Sequence, residues 1–137
     1  MSGELKDRLT IILHSGAYDR VHYALSLATI ALAMGMEVSI LFTYGALKRL
    51  IKGRTDRLFD DLDIDQDVRA GVEAGRIKPI SEVLKDAKES GLQVYACSAA
   101  MAAYGVRQED LIEEVDGVAS LFTVIDQARE GAVTLYI

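Results

Sequence analysis

The chain has 137 residues, half of them hydrophobic, with 15 Lys and Arg against 21 Asp and Glu and a net charge of −6. That length makes one domain able to bury a core without disulfide or metal staples. The acidic balance excludes a nucleic-acid binder, which needs clustered Lys and Arg.

A lone cysteine, Cys97, cannot form an internal disulfide, and Met1–Arg8 is too short and charged for a secretory signal. Both features lead to the expectation of a cytoplasmic protein. Tyr23–Leu47 is the most apolar stretch, but it contains Glu37 and is divided by Gly35. Neither piece supplies the roughly 20 apolar residues of a membrane span.

In chain order, Leu9–His14 is a near-continuous apolar run, the pattern of a strand covered on both faces. Ser15–Tyr18 reads as a loop, with Asp19 as N-cap of a helix running to about Met34 and stopped by Gly35. That helix carries two apolar stripes. Val21, Ala24, Leu25, Ala28, Ala31 and Leu32 form one; Tyr23, Leu27, Ile30 and Met34 form the other. A helix apolar on most of its circumference is either central in its domain or packed against another subunit, and in so small a domain the subunit contact is expected.

Val38–Thr43 is the second strand, and Tyr44–Lys52 a short helix with Leu47, Leu50 and Ile51 inward. The segment from about 53 to 78 is rich in Asp and Arg with weak periodicity, and reads as an acidic insertion, partly helical. Its Asp60–Asp67 run fails as a calcium loop, because Gln66 and Val72 stand where Gly and Glu are needed. What remains is a solvated acidic face or a docking surface for a basic partner.

Ser81 is expected to cap a helix to about Ser90, and Leu92–Cys97 to be a buried strand. Ser98–Ala103 opens a helix stopped by Gly105, and Arg107–Val115 reads as another helix with Leu111, Ile112 and Val115 inward. Asp116–Ala119 is a turn or very short strand. Leu121, Phe122, Ile125 and Ala128 mark the last helix, before a terminal strand Ala132–Ile137. Strands alternating with helices imply an α/β domain over 1–137: a doubly wound, mostly parallel sheet of four or five strands flanked by helices.

In such a sheet, ligands sit beyond the carboxyl ends of the strands, where the strand order reverses. With a strand order of 2-1-3-4-5, His14 and Cys97 would end neighbouring strands and face one crevice. A thiol at the start of a helix feels unpaired amides and the positive helix end, which favour thiolate. His14 would assist as a proton shuttle, and Ser15-Gly16 before a helix would hold an anion. Arg107 would attract an anionic donor if its helix turns it inward; His22 is expected at the surface.

Taken alone, a cysteine in a strand is more often an inert core residue. Familiar cysteine loops do not fit. A phosphatase loop would place Arg at Ala103, a rhodanese loop a cation at Ala102, a thioredoxin pair a cysteine at Ala100, and a peroxiredoxin Thr at Val94.

Several segments together resemble the DsrE/DsrF-like family: Ser15–Asp19, Ala33–Val38 with Phe42-Thr43, Cys97 with Met101 and Gly105-Val106, and Asp110-Leu111-Ile112. The resemblance spans nearly the whole chain. It implies a flavodoxin-like fold, trimers or hexamers, and sulfur relay in which a cysteine holds sulfane sulfur; Cys97 matches that carrier by position. The expected function is a sulfur carrier or sulfurtransferase passing sulfur between donor and acceptor proteins, without metal or organic cofactor. Cys97 is the reacting group, with His14, Ser15, Gly16, Ser98, Met101 and Arg107 in support. The alternative is a non-catalytic oligomeric binding or assembly module whose cysteine is packed. Two departures from the family stand out: no second cysteine for internal transfer, and the acidic segment where many relatives are Met-rich.

Overall fold

A computed structural model describes residues 4–58 and 64–137. Five strands, β1 (Lys6–Leu13), β2 (Glu37–Phe42), β3 (Gln93–Cys97), β4 (Gly117–Ala119) and β5 (Gly131–Tyr136), form one parallel sheet. Its order is β4-β3-β2-β1-β5. The connecting helices are α1 (Tyr18–Ala33), α2 (Gln66–Glu73), α3 (Ile80–Glu89), α4 (Ser98–Tyr104) and α5 (Leu121–Ala128), with a 3-10 helix at Tyr44–Leu50. The expected doubly wound α/β sheet is present, but the order is not 2-1-3-4-5. From β1 to β4 the chain steps in one direction across the sheet, and only β5 returns to the far side of β1.

Strand alternation sorts the two faces. Leu9, Ile11 and Leu13 on β1 share a face with Val38, Ile40 and Phe42 on β2, and with Val94 and Ala96 on β3. This is the main core, covered by α1 and α3, whose Val21, Leu25, Ile80 and Leu84 are fully buried. Each such side chain contributes about 1.5–3 kcal/mol of transfer free energy. Right-handed crossovers place α5, on the returning connection, over the opposite face, which carries Thr10, Ser39, Leu41 and Tyr95.

Tyr18 fastens the first layer. Its ring is fully buried and its hydroxyl accepts a hydrogen bond from the Ile80 amide (3.2 Å), joining the first turn of α1 to that of α3. Burial raises its phenol pKa above the ordinary value. Asp19 is not the N-cap of α1; Ala17 holds that position, and Ser15 Oγ accepts from the Ala17 amide (3.2 Å). Nor does Ser81 cap α3. The cap is Pro79, and the Ser81 amide and hydroxyl both donate to Asp56, so the segment after the 3-10 helix supplies the anion at that helix start.

Of the acidic insertion, residues 64–78 contain α2, whose N-cap is Asp65 with its carboxylate accepting from the Asp67 and Val68 amides. Asp60, Asp61 and Asp63 lie outside the described residues. The helix expected at Arg107–Val115 is instead one 3-10 turn, Gln108–Asp110. Beyond it, the Ile112 amide donates to the Leu50 carbonyl (2.8 Å), and the Lys52 amide donates to the Asp110 carbonyl (2.9 Å). An antiparallel bridge between Leu111 and Ile51 completes the contact. These hydrogen bonds across the fold outcompete the local i, i+4 pattern.

The last helix is present as expected, at Leu121–Ala128. Val124 is its buried residue, whereas Leu121, Phe122 and Ile125 face outward. Among the described residues, no helix is long and apolar enough to cross a membrane.

Candidate functional site

Cys97 is the last residue of β3 and the residue preceding the first turn of α4. Gly105, in the left-handed conformation (φ 64°), closes that helix as the sequence suggested. The thiol is free but buried, with 1% of the residue exposed. Alternation along β3 sends it to the same side as Tyr95, the side covered by α5, and its register partner is Ala119 on β4. α4 spans only seven residues, so few peptide dipoles add at its start.

The expected crevice shared by His14 and Cys97 does not form between neighbouring strands, because β2 lies between β1 and β3. Two groups of candidate residues therefore separate. Ser98, exposed, and Met101, buried, accompany Cys97 on α4. His14, Ser15 and Gly16 sit together at the end of β1.

The polar groups of that β1 loop are largely engaged. The His14 and Ser15 amides donate to the Ile137 carbonyl (3.4 and 3.3 Å), and the His14 carbonyl accepts from the Ala46 amide (3.2 Å). The Gly16 carbonyl accepts from Arg49 Nε (3.0 Å). Arg49 is 5% exposed, donates also to the Thr55 and Arg57 carbonyls, and lies 5.4 Å from the centre of the Tyr18 ring. A guanidinium fork suits this task because several donors leave one rigid plane. Sequence reading missed Arg49, since an Arg in a charged helix normally looks solvated.

Around His14 an aromatic cluster gathers at the carboxyl rim of the sheet. Tyr44 stacks on His14 at 5.2 Å between ring centres, Tyr136 lies 6.1 Å from it, and Tyr104 meets Tyr44 edge-on at 6.0 Å. Lys48 Nζ stands 5.4 Å from the Tyr104 ring centre. Tyr44 has φ 46°, a left-handed conformation rare outside glycine, and among the described residues it is the one non-glycine with positive φ. Such strain concentrates at functional positions. The rings come from four different elements, so no local motif announced them.

Arg107 turns away from this rim. It is paired with Glu109 (2.9 Å) and Asp110 (3.5 Å) on the surface. The Arg107 amide, donating to Asp110, is the first cause holding that carboxyl below the ordinary carboxylate range.

The structure is an all-parallel α/β domain with a single thiol ending its third strand. A family model described as the DsrE/DsrF-like family matches residues 7–135, and the chain belongs to that family. The family suggests a function related to sulfur relay. The chain is 27% identical over 159 aligned positions to the uncharacterized protein YrkE of Bacillus subtilis, covering 98% of this chain and 99% of that one. Two solved structures share the fold. The ychN protein of E. coli superposes with a TM-score of 0.65 at 12% identity, covering 95% of this chain and 99% of that chain. MTH1491 of Methanobacterium thermoautotrophicum, a protein of unknown function, gives 0.61 at 19% identity, covering 95% and 98%.

Proposed function

We propose that the chain is a cytoplasmic sulfur carrier, holding sulfane sulfur on Cys97 and passing it to an acceptor protein. The observation that carries this reading is the family match over residues 7–135 in a chain whose one thiol closes β3 at the sheet's carboxyl edge. In the loading step the Cys97 thiolate attacks the outer sulfur of a donor persulfide. A new S–S bond forms at Cys97, the donor's S–S bond breaks, and the donor leaves as its thiolate. In unloading, an acceptor thiolate attacks the outer sulfur and Cys97 leaves as thiolate. Neither step needs an external oxidant, a metal or a cofactor. Ser98 and Met101 border the reacting residue; His14, Ser15 and Gly16 bear on donor approach rather than on the thiol itself, and Arg107, already paired with Glu109 and Asp110, takes no part. Because Cys97 is buried, each exchange requires a local opening of the fold.

A second reading draws on that same burial and on the apolar faces left outside: a binding or assembly module whose cysteine is a packed side chain. Intact-mass analysis of the folded protein separates the two. After exposure to polysulfide or tetrathionate, a carrier gains sulfur-containing adducts that reductant removes, and Cys97→Ser gains none. An unmodified native protein, reactive only after unfolding, supports the module.

A further inference from the structure

A cavity of about 260 Å³ lies between α5 and the sheet face it covers. Its sheet side carries the hydroxyls of Thr10 and Ser39, both more than nine-tenths buried, and Gln127 contributes an amide from α5. Leu41, Ala119 and Val124 supply apolar wall. No side chain lining it is charged.

Two observations distinguish this space from loose packing. Thr10 Oγ1 is fully shielded and finds no hydrogen-bond partner among the described residues, and a rotation about χ1 exchanges it with the methyl group to present it to the cavity. Thr10 sits mid-strand at 2% exposure, where a Val of the same shape would avoid stranding a hydroxyl in an apolar layer. The neighbouring β2 residue in register with it is Ser39, so two hydroxyls stand side by side on the same face. The volume exceeds the about 150 Å³ of an apolar cavity that accepts one benzene.

We infer that this cavity is a binding site for a small uncharged molecule: an apolar body of about the size of a substituted six-membered ring, with one hydrogen-bonding group for Thr10 and Ser39. Charge is selected against. A cation, Arg8, lies in an adjoining cleft that shares Ser39 and Gln127, and it is already paired with Glu37 at 3.1 Å. An anion in the cavity would lose its hydration without gaining a counter-charge. The site stands on the face to which Cys97 points, beside its register partner Ala119, but the inference does not depend on Cys97 carrying sulfur.

The test is titration of the full chain with benzyl alcohol, followed by amide chemical shifts. Saturable shifts are expected at Thr10, Ser39, Ala119 and Val124, and benzoate, similar in size but charged, should bind at least about tenfold more weakly. Thr10→Val should weaken benzyl alcohol about fivefold while leaving toluene, which lacks the hydroxyl, unchanged. Ser39→Ala gives the same comparison should Thr10→Val fail to fold. Cys97→Ser should bind as the parent does, which keeps this result separate from the fate of the sulfur reading. Absence of saturable shifts at these residues, equal binding of benzoate, or benzyl alcohol affinity unaltered by both hydroxyl removals would overturn it.

Discussion

Gly16 and Gly45 bring two backbones into contact: a Cβ on Gly16 would lie 2.4 Å from the Gly45 carbonyl oxygen, and one on Gly45 would lie 2.9 Å from the Gly16 nitrogen. Neither glycine has a positive φ, so space alone demands them. Because backbone cannot rotate aside as a side chain does, Gly16→Ala must push the β1 loop away from the 3-10 helix. That displacement pulls the Gly16 carbonyl off Arg49. A loss of about 2–3 kcal/mol is expected, read as a fall of about 8 °C in Tm. An unchanged Tm would mean that the loop is free to move, and that contact with Gly45 is not what requires Gly16.

Much of the fold was legible because its signals are local. The apolar runs of β1 and β2, the helix between them and the Gly105 stop all follow from spacing and turn chemistry, and all are present. What failed was set by distant partners. Leu111 and Ile112 have helical spacing but are held by Ile51 and Leu50. The run Leu121, Phe122 and Ile125 marked the helix but not its buried face, and Val124 is the residue that meets the sheet. At the site, the placement of Cys97 at a strand end was readable. Its separation from His14 was not, since that depends on whether β3 pairs with β1 or, as here, with β2.

Cys97 reactivity should be governed by opening rather than by direct approach. Its thiol faces the α5 side, and α5 is seated there through Val124, with three large apolar side chains pointing away. Val124→Ala removes part of that seat. Labelling of the native protein by an excess of a neutral alkylating reagent should accelerate about tenfold, with the unfolded-state rate unchanged. Equal native rates in both proteins would show that the thiol opens toward α4 instead.

Acid should destabilise the fold through His22. Burial lowers its pKa from the ordinary 6.5, and its Nε2 finds no hydrogen-bond partner among the described residues. The unfolded chain therefore takes up this proton at a higher pH than the folded one. Stability is full above the ordinary value and declines as pH falls through it toward the folded value. His22→Gln should flatten the dependence of Tm on pH between about pH 7 and pH 5. An identical slope in both proteins would assign the effect to other groups.

Assembly is the last expectation, and two apolar surfaces bear on it. On α1 and at its C-cap, Tyr23, Ile30 and Met34 are 61%, 62% and 71% exposed, three of the four residues of the second stripe read from the sequence. On α5, Leu121, Phe122 and Ile125 are 57%, 80% and 61% exposed. The helices lie on opposite faces of the sheet, so one contact cannot cover both. Two separate patches, each closed by its own symmetry axis, build an assembly larger than a dimer. Of the trimer and hexamer that the family resemblance implies, the hexamer meets that requirement. Ile30→Glu and Phe122→Glu should each break one contact and leave a smaller closed species, because an unpaired carboxylate is not tolerated in an apolar interface. The double variant should be a folded monomer, since neither side chain belongs to the core. Light scattering with circular dichroism reads both points. A monodisperse parent monomer at micromolar concentration would remove the proposal, and an unchanged mass in the double variant would place the interfaces elsewhere.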